Sequence, residues 1–207
     1  MSSRTADYFT RAASDFDALY ANESRAPRWI NRTFRRDIYE RFRLTLEHVG
    51  RYLPESILDV GCGPGRYEAA IAQLGIKRIQ GIDVSPAMLD IARQTAPAAE
   101  FVQQDFAAFG SSERFDVVVA MGFFDYSAKP ADDLAHMKEI AKHSIVASFP
   151  SVNWYRTPIR KVRYFLKNCP VRFYSRRDIE LLAAPFRKSE IIKIPGAGQD
   201  YFAAFYL

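Results

Sequence analysis

Ile57-Leu58-Asp59-Val60-Gly61-Cys62-Gly63-Pro64-Gly65 is the stretch from which the rest of the chain can be read. An apolar run carrying one acid passes into three alternating glycines, and residues 67–74 beyond them are amphipathic. The run has the character of a strand buried on both faces, and the segment after Gly65 that of a helix. Alternating glycines at such a junction let backbone approach a ligand with no Cβ in the way. The N-terminus of the incoming helix brings N–H groups to the same crevice. The stretch is therefore read as a ligand-binding loop.

Its spacing, G-x-G-x-G, departs from the dinucleotide fingerprint, which places its third glycine where this chain has Arg66. With Asp59 two residues before the first glycine, the stretch resembles motif I of the class I S-adenosylmethionine-dependent methyltransferases. A dinucleotide brings a pyrophosphate, whereas S-adenosylmethionine brings an ammonium and a sulfonium, for which Asp59 supplies negative charge. A nicotinamide-dependent oxidoreductase and a non-catalytic cofactor-binding protein are the distant alternatives.

The 207 residues, 48% of them hydrophobic, suffice for one α/β domain with appendages. Residues 1–20 have no apolar core of a secretory signal, and no run approaches the roughly 20 apolar residues of a membrane span. A soluble, cytoplasmic chain is expected. Two cysteines, Cys62 and Cys169, make neither a disulfide framework nor a zinc site, and no metal is expected. Cys62 is read as a packing residue of the loop. The net charge of +5 is unevenly spread: residues 25–51 carry +5 and residues 151–177 carry +8 without an acid, leaving −8 for the rest.

Residues 28–52 read as one long helix, with Ile30, Phe34, Ile38, Phe42, Leu46 and Val49 on one face and its arginines on the others, most of them solvated. Strands are expected at 57–60, 78–82, 100–104, 115–120 and 144–149. The helices between them fall at 66–74, from Pro86 to about Thr95 behind an N-cap at Ser85, and at 131–142. This alternation implies a parallel sheet covered on both faces. Ser175 caps a helix reaching about Ala184, and 188–194 with 200–207 read as a terminal hairpin. The pattern is similar to the family's seven-stranded, doubly wound, Rossmann-like sheet over residues 55–207. The resemblance implies the order 3-2-1-4-5-7-6, with strand 7 antiparallel. Residues 1–54 are expected as a helical N-terminal cap of the same domain, and 150–174 as an insertion after strand 5 that serves as lid and acceptor pocket.

Ligands of open α/β sheets bind beyond the carboxyl ends of the strands. Here those ends carry Asp59, Asp83, Asp105 and Met121. The resemblance implies that Asp59, Gly61, Cys62, Gly63, Gly65 and Met121 border the cofactor. It implies further that Asp83 accepts from the ribose hydroxyls, that Val84 and Met88 lie against the adenine, and that Asp105, beside Phe106, accepts from its amino group. The competing reading of Asp105 is a helix or turn cap. Residues 121–126 lie where the family places the sulfonium and acceptor. Tyr126 and Asp125 are the base candidates there, ahead of His136 and His143, although in-line methyl transfer needs a base only if the acceptor must lose a proton. The expected pocket lining comprises Tyr8, Phe9, Tyr20, Trp29, Phe123, Trp154 and Tyr155, with core packing the competing reading. Arg156 and Arg160 are expected to meet an anionic acceptor. That acceptor is expected to be a small metabolite with an O, N or C nucleophile. RNA and a membrane lipid or quinone precursor are the alternatives. The sequence leaves the oligomeric state open.

Overall fold

A computed structural model describes residues 28–110, 113–152, 171–195 and 199–207, with side chains from residue 36 onward. Its elements in chain order are α1 (Arg28–Tyr52), β1 (Ser56–Val60), α2 (Arg66–Ala72), β2 (Arg78–Asp83), α3 (Pro86–Thr95) and β3 (Glu100–Gln103). A single 3₁₀ turn (Phe106–Ala108) precedes β4 (Phe115–Ala120), α4 (Pro130–Ile140), β5 (Ala141–Phe149), α5 (Arg176–Ala183), β6 (Lys188–Lys193) and β7 (Tyr201–Tyr206). The seven strands form one sheet in the order β3-β2-β1-β4-β5-β7-β6. Strands β1 to β5 pair in parallel, and β7 is antiparallel to both β5 and β6. This is the topology that the family resemblance implied. Among the described residues no helix is long and apolar enough to cross a membrane.

The central strands β1 and β4 are buried along their whole length, as parallel strands covered on both faces must be. One face carries Leu58, Val60, Val118, Ile145 and Phe205 against Leu134, Met137 and Ile140 of α4 and Ile179 of α5. The other carries Ile57, Val117, Val119 and Val146 against Ile71 of α2 and Val49 of α1. Helix starts follow the local chemistry. Ser85 accepts from the Met88 N–H ahead of Pro86, and Ser175 and Asp178 form a reciprocal capping box.

The largest boundary shift lies between α4 and β5. The sequence pattern extends the helix to Lys142 and starts the strand at Ser144, yet the helix stops at Ile140 and Ala141 already pairs with Phe115. Asp116 explains the shift. Its carboxylate accepts from the backbone N–H groups of Glu55 and Ser56, at 2.8 and 3.0 Å, and from Lys142 Nζ at 3.0 Å. That ammonium is reached from an extended Lys142, with a register shift between Phe115 and Val117 to accommodate it.

Helix α1 carries a second stripe beside its apolar one. Asp37, Thr45 and His48 are buried, and Arg41, between Asp37 and Thr45 on the same side, is half-buried. Arg41 Nη1 donates to Ser148 Oγ at 3.3 Å, and a ring nitrogen of His48 lies 2.9 Å from Ser144 Oγ. Both serines flank Val146 on the face that α1 covers. Burial lowers the His48 pKa from 6.5 to about 4, with Arg51 adding to the effect and Glu190 opposing it. The folded state thus prefers neutral His48, and the stability this gives is full above about pH 6.5. As pH falls towards 4 the unfolded chain binds a proton that the folded chain refuses, and stability drops. The expected loss across that window is on the order of 2 kcal/mol. Denaturant melts at pH 7 and 4.5 should show the drop in the native protein and a flatter response in His48→Gln.

Candidate functional site

The crevice lies at the carboxyl ends of β1, β2, β4 and β5. Gly61, Gly63 and Gly65 all take positive φ, at 74°, 55° and 77°. The loop is tied back to β2: the N–H groups of Gly61 and Cys62 both donate to the Ile82 carbonyl, at 2.8 and 3.1 Å. At Gly63, where a side chain would start, nothing lies within 4 Å, so the loop presents bare backbone to open space. That is the cradle a ligand needs.

Asp83 has a role that sequence reasoning did not assign. Its Oδ2 accepts from the Gly63 N–H at 3.0 Å and its Oδ1 from the Ser85 N–H at 2.9 Å. It therefore braces the glycine loop against the start of α3. Burial raises its pKa, and the N–H groups of Ser85, Gly63 and Val84 counteract this. Each oxygen keeps a second lone pair with which to accept from a hydroxyl.

Asp59 stands beneath the loop, 1% exposed, and Glu68 on the first turn of α2 is fully buried. The two carboxyls interact directly, and burial raises both pKa values. Asp83 adds to the upward shift of each, and Arg41 works against it at Asp59. Glu68 and Arg41 were not singled out from the sequence. The signal for Glu68 was its spacing: it is three residues before Ile71, on the inward face of an amphipathic helix. Arg41 had no such signal, because the stripe it belongs to is polar. It reaches the far side of the crevice. Ser148 Oγ, to which it donates, also accepts from the Gly122 N–H at 2.8 Å, and a Cβ on Gly122 would be 3.7 Å from Arg41 Nη1.

The remaining expected residues divide into surface and core. Val84 is partly exposed at the end of β2, whereas Met88 is 2% exposed in the α3 packing. Asp105 is partly exposed and caps the 3₁₀ turn by accepting from the Ala107 N–H at 3.1 Å. Phe106 is buried, stacked on His136 at 4.6 Å and edge-on to Phe123 at 5.7 Å. Phe123 is buried beneath Gly61 and edge-on to Phe124. Met121 and Asp125 are buried and Tyr126 is partly exposed in the turn after β4. His143 lies near the amino-terminal end of β5, 4.0 Å from Asp116, at the opposite end of the strand from the crevice. The Cys62 thiol is pushed well above its usual range, first by burial and then by Glu68, Asp59 and Asp83, so it stays protonated and packs. Tyr8, Phe9, Tyr20, Trp154, Tyr155, Arg156 and Arg160, and the side chain of Trp29, lie outside the described residues. The flanks of the insertion are defined: Ser151 and Tyr174 form a bridge, Tyr174 O–H donates to the Phe124 carbonyl at 3.0 Å, and the Arg172 N–H donates to the Asp125 carbonyl at 2.9 Å.

A sheet of this order with a glycine loop after β1 and an acid closing β2 defines the class I methyltransferase fold. Residues 57–144 match the family described as "Methyltransferase domain". The chain thus resembles the class I S-adenosylmethionine-dependent methyltransferases over residues 57–144 and has their fold. It is 38% identical over 169 residues to a trans-aconitate 2-methyltransferase of Shigella dysenteriae, a match covering 79% of this chain and 63% of that protein. To a ubiquinone biosynthesis O-methyltransferase of Pasteurella multocida it is 32% identical, over 48% of this chain and 47% of that one. The chain spans about half the length of the curated relatives it matches. Among solved structures, the magnesium protoporphyrin IX methyltransferase of Synechocystis with bound S-adenosylhomocysteine superposes with a TM-score of 0.74 at 18% identity, over 97% of this chain and 96% of that one.

Proposed function

We propose that the chain transfers a methyl group from S-adenosylmethionine to a nucleophile of a small anionic metabolite. The observation that carries this reading is the charge arrangement around the crevice. Acids, Asp59 and Asp83, stand on the loop side, and a half-buried cation, Arg41, stands across from them at Gly122 and Ser148. The cradle at Gly63 and the buried, donor-poor carboxyl of Asp59 suit a ligand that brings its own positive charge. When bound, the cofactor supplies an electrophilic methyl group on a sulfonium.

In this reading the protein's part is alignment. Asp83 accepts from the ribose hydroxyls while keeping the loop in place, the bare backbone around Gly63 admits the ligand, and Asp59 supplies the compensating charge. Arg41 pairs with an acidic group of the acceptor through its guanidinium fork. Holding the two reactants in line and free of water supplies most of the rate for a displacement at a methyl carbon. Asp125 and Tyr126, in the turn after β4, take a proton in this reading should the acceptor carry one. The insertion at 150–174 serves as the lid in this reading, supported by the bridge between its flanks at Ser151 and Tyr174.

The names of the relatives support two acceptor classes, a carboxylated metabolite and a quinone precursor, and the cation at the crevice favours the first. Calorimetry with S-adenosylmethionine, S-adenosylhomocysteine and NAD tests the cofactor: binding of NAD alone would overturn the reading. Tritium transfer from labelled S-adenosylmethionine into cell extract, resolved into soluble, lipid and RNA pools, tests the acceptor. A soluble product is expected, with KM for it raised about tenfold or more in Arg41→Ala. Label confined to lipid or RNA would replace the metabolite reading with that class.

A further inference from the structure

Beneath the glycine loop the chain buries two acids, Asp59 and Glu68. Asp59 is 1% exposed and Glu68 0%, and among the described residues none of their four carboxyl oxygens receives a hydrogen bond from another group's donor. The Glu68 carboxyl also leans towards its own backbone N–H. The pair sits in a tight space. A Cβ on Gly81 of β2 would be 2.7 Å from Glu68 Oε1, 2.8 Å from the Phe101 ring and 2.9 Å from Cys62 Sγ. The strand thus keeps a glycine where the Glu68 carboxyl lies. The charged or titratable groups facing the pair are Arg41 from α1, Asp83 at the end of β2 and the Cys62 thiol of the loop.

Asp59 pairs in register with Gly81, where the Glu68 carboxyl lies, and two neighbouring carboxylates sealed from water cannot both be ionised. We propose that Glu68 is a positioning residue, held as the neutral acid, whose O–H donates to the Asp59 carboxylate, so that one negative charge stands beneath the loop and selects a cationic ligand. The proton belongs on Glu68 because of the charges that act on each acid. Asp59 has the Arg41 guanidinium acting in favour of its anion, whereas the charges acting on Glu68 are those of Asp59 and Asp83. A carboxylic acid that stays neutral in order to donate a hydrogen bond is a known use of burial. The donated bond favours the charged form of Asp59 and fixes its orientation. The downward effect of Glu68 on the Asp59 pKa has the same sign.

This inference rests on the proposed cofactor for its consequence but not for its first test. Carboxyl ¹³C NMR of the ligand-free protein, assigned with Glu68→Gln, should show Glu68 in the acid form at pH 7. An ordinary glutamate titration near pH 4.5 would overturn the proposal whatever the protein binds. The second test uses two variants and calorimetry across about pH 5.5 to 8. Glu68→Gln keeps an N–H donor and is expected to hold S-adenosylmethionine affinity within about threefold of the native protein. Glu68→Leu keeps the volume but removes the donor. Asp59 then loses its charge at higher pH, so the fall of affinity on acidification should move up by roughly one pH unit. Equal profiles for the native protein and Glu68→Leu would overturn the positioning role. If neither S-adenosylmethionine nor S-adenosylhomocysteine bound the native protein, the cofactor reading would fail, and the NMR titration alone would decide the state of Glu68.

Discussion

Asp83→Ala is expected to weaken S-adenosylhomocysteine binding by about a hundredfold or more. In the proposed complex the carboxylate makes two charge-assisted hydrogen bonds to ribose, each worth roughly 1.5 to 3 kcal/mol, and tenfold in affinity is 1.4 kcal/mol. The same oxygens hold the Gly63 and Ser85 N–H groups, so the variant also frees the loop to leave its binding geometry. Asp83→Asn separates shape from chemistry. Its amide matches the carboxylate in size, but its NH₂ must face one of those two N–H donors, so it too should lose most of the affinity. Calorimetry gives the binding change and thermal melting the cost of the lost brace, expected at about 1 to 2 kcal/mol. An Asp83→Ala protein binding within threefold of native would show that the β2 acid does not hold the ligand.

Gly65→Ala is expected to destabilise the fold more than any other loop substitution. Gly65 sits at φ 77°, where an L side chain is strained by roughly 1 to 2 kcal/mol. Its Cβ would also stand 2.9 Å from Ala92 Cα and 3.1 Å from the Ala92 carbonyl oxygen. Those are backbone atoms of α3, so the clash cannot be relieved by turning a side chain. Helix α2 must move away from α3, which opens the packing under the loop. A total near 3 kcal/mol is expected, seen as a fall in Tm of about 6 to 12 °C. Gly63→Ala is the control. It shares the positive φ but meets nothing within 4 Å, so it should cost only the backbone strain while placing a methyl group in the ligand cradle. If both variants melted alike, close approach of α2 and α3 would not be what requires Gly65.

What the sequence revealed followed from chemistry that repeats along the chain. The β4 boundaries, the start of α3 and the terminal hairpin could be read because each rests on local signals, an apolar run, a Ser-Pro cap and a Pro-Gly turn, whereas the sheet order came from the family resemblance. The α4–β5 junction could not, because Asp116, 26 residues away, decides where Lys142 must reach. Asp83 was read as a ligand acid but not as a brace, since its partner Gly63 lies 20 residues upstream. Glu68 and Arg41 escaped for opposite reasons. An acid on an apolar face was present in the pattern and passed over, whereas an arginine on a polar face gave no reason to expect burial. Phe106 and Phe123 carried motif positions, yet an aromatic side chain beside an apolar strand is claimed first by the core.

The pairing of α1 with Ser144 and Ser148 has a mechanical consequence. The helix meets the β5 hydroxyls at two points seven residues apart along its own axis, His48 below and Arg41 above. An apolar seam alone tolerates slippage, since one leucine-like contact replaces another. Moving this helix by a turn would instead leave a guanidinium and an imidazole facing aliphatic surface, each at a cost of several kcal/mol. The two serines thus act as an index for the helix, and the height at which Arg41 enters the crevice is fixed in part by a histidine at the other end of the sheet.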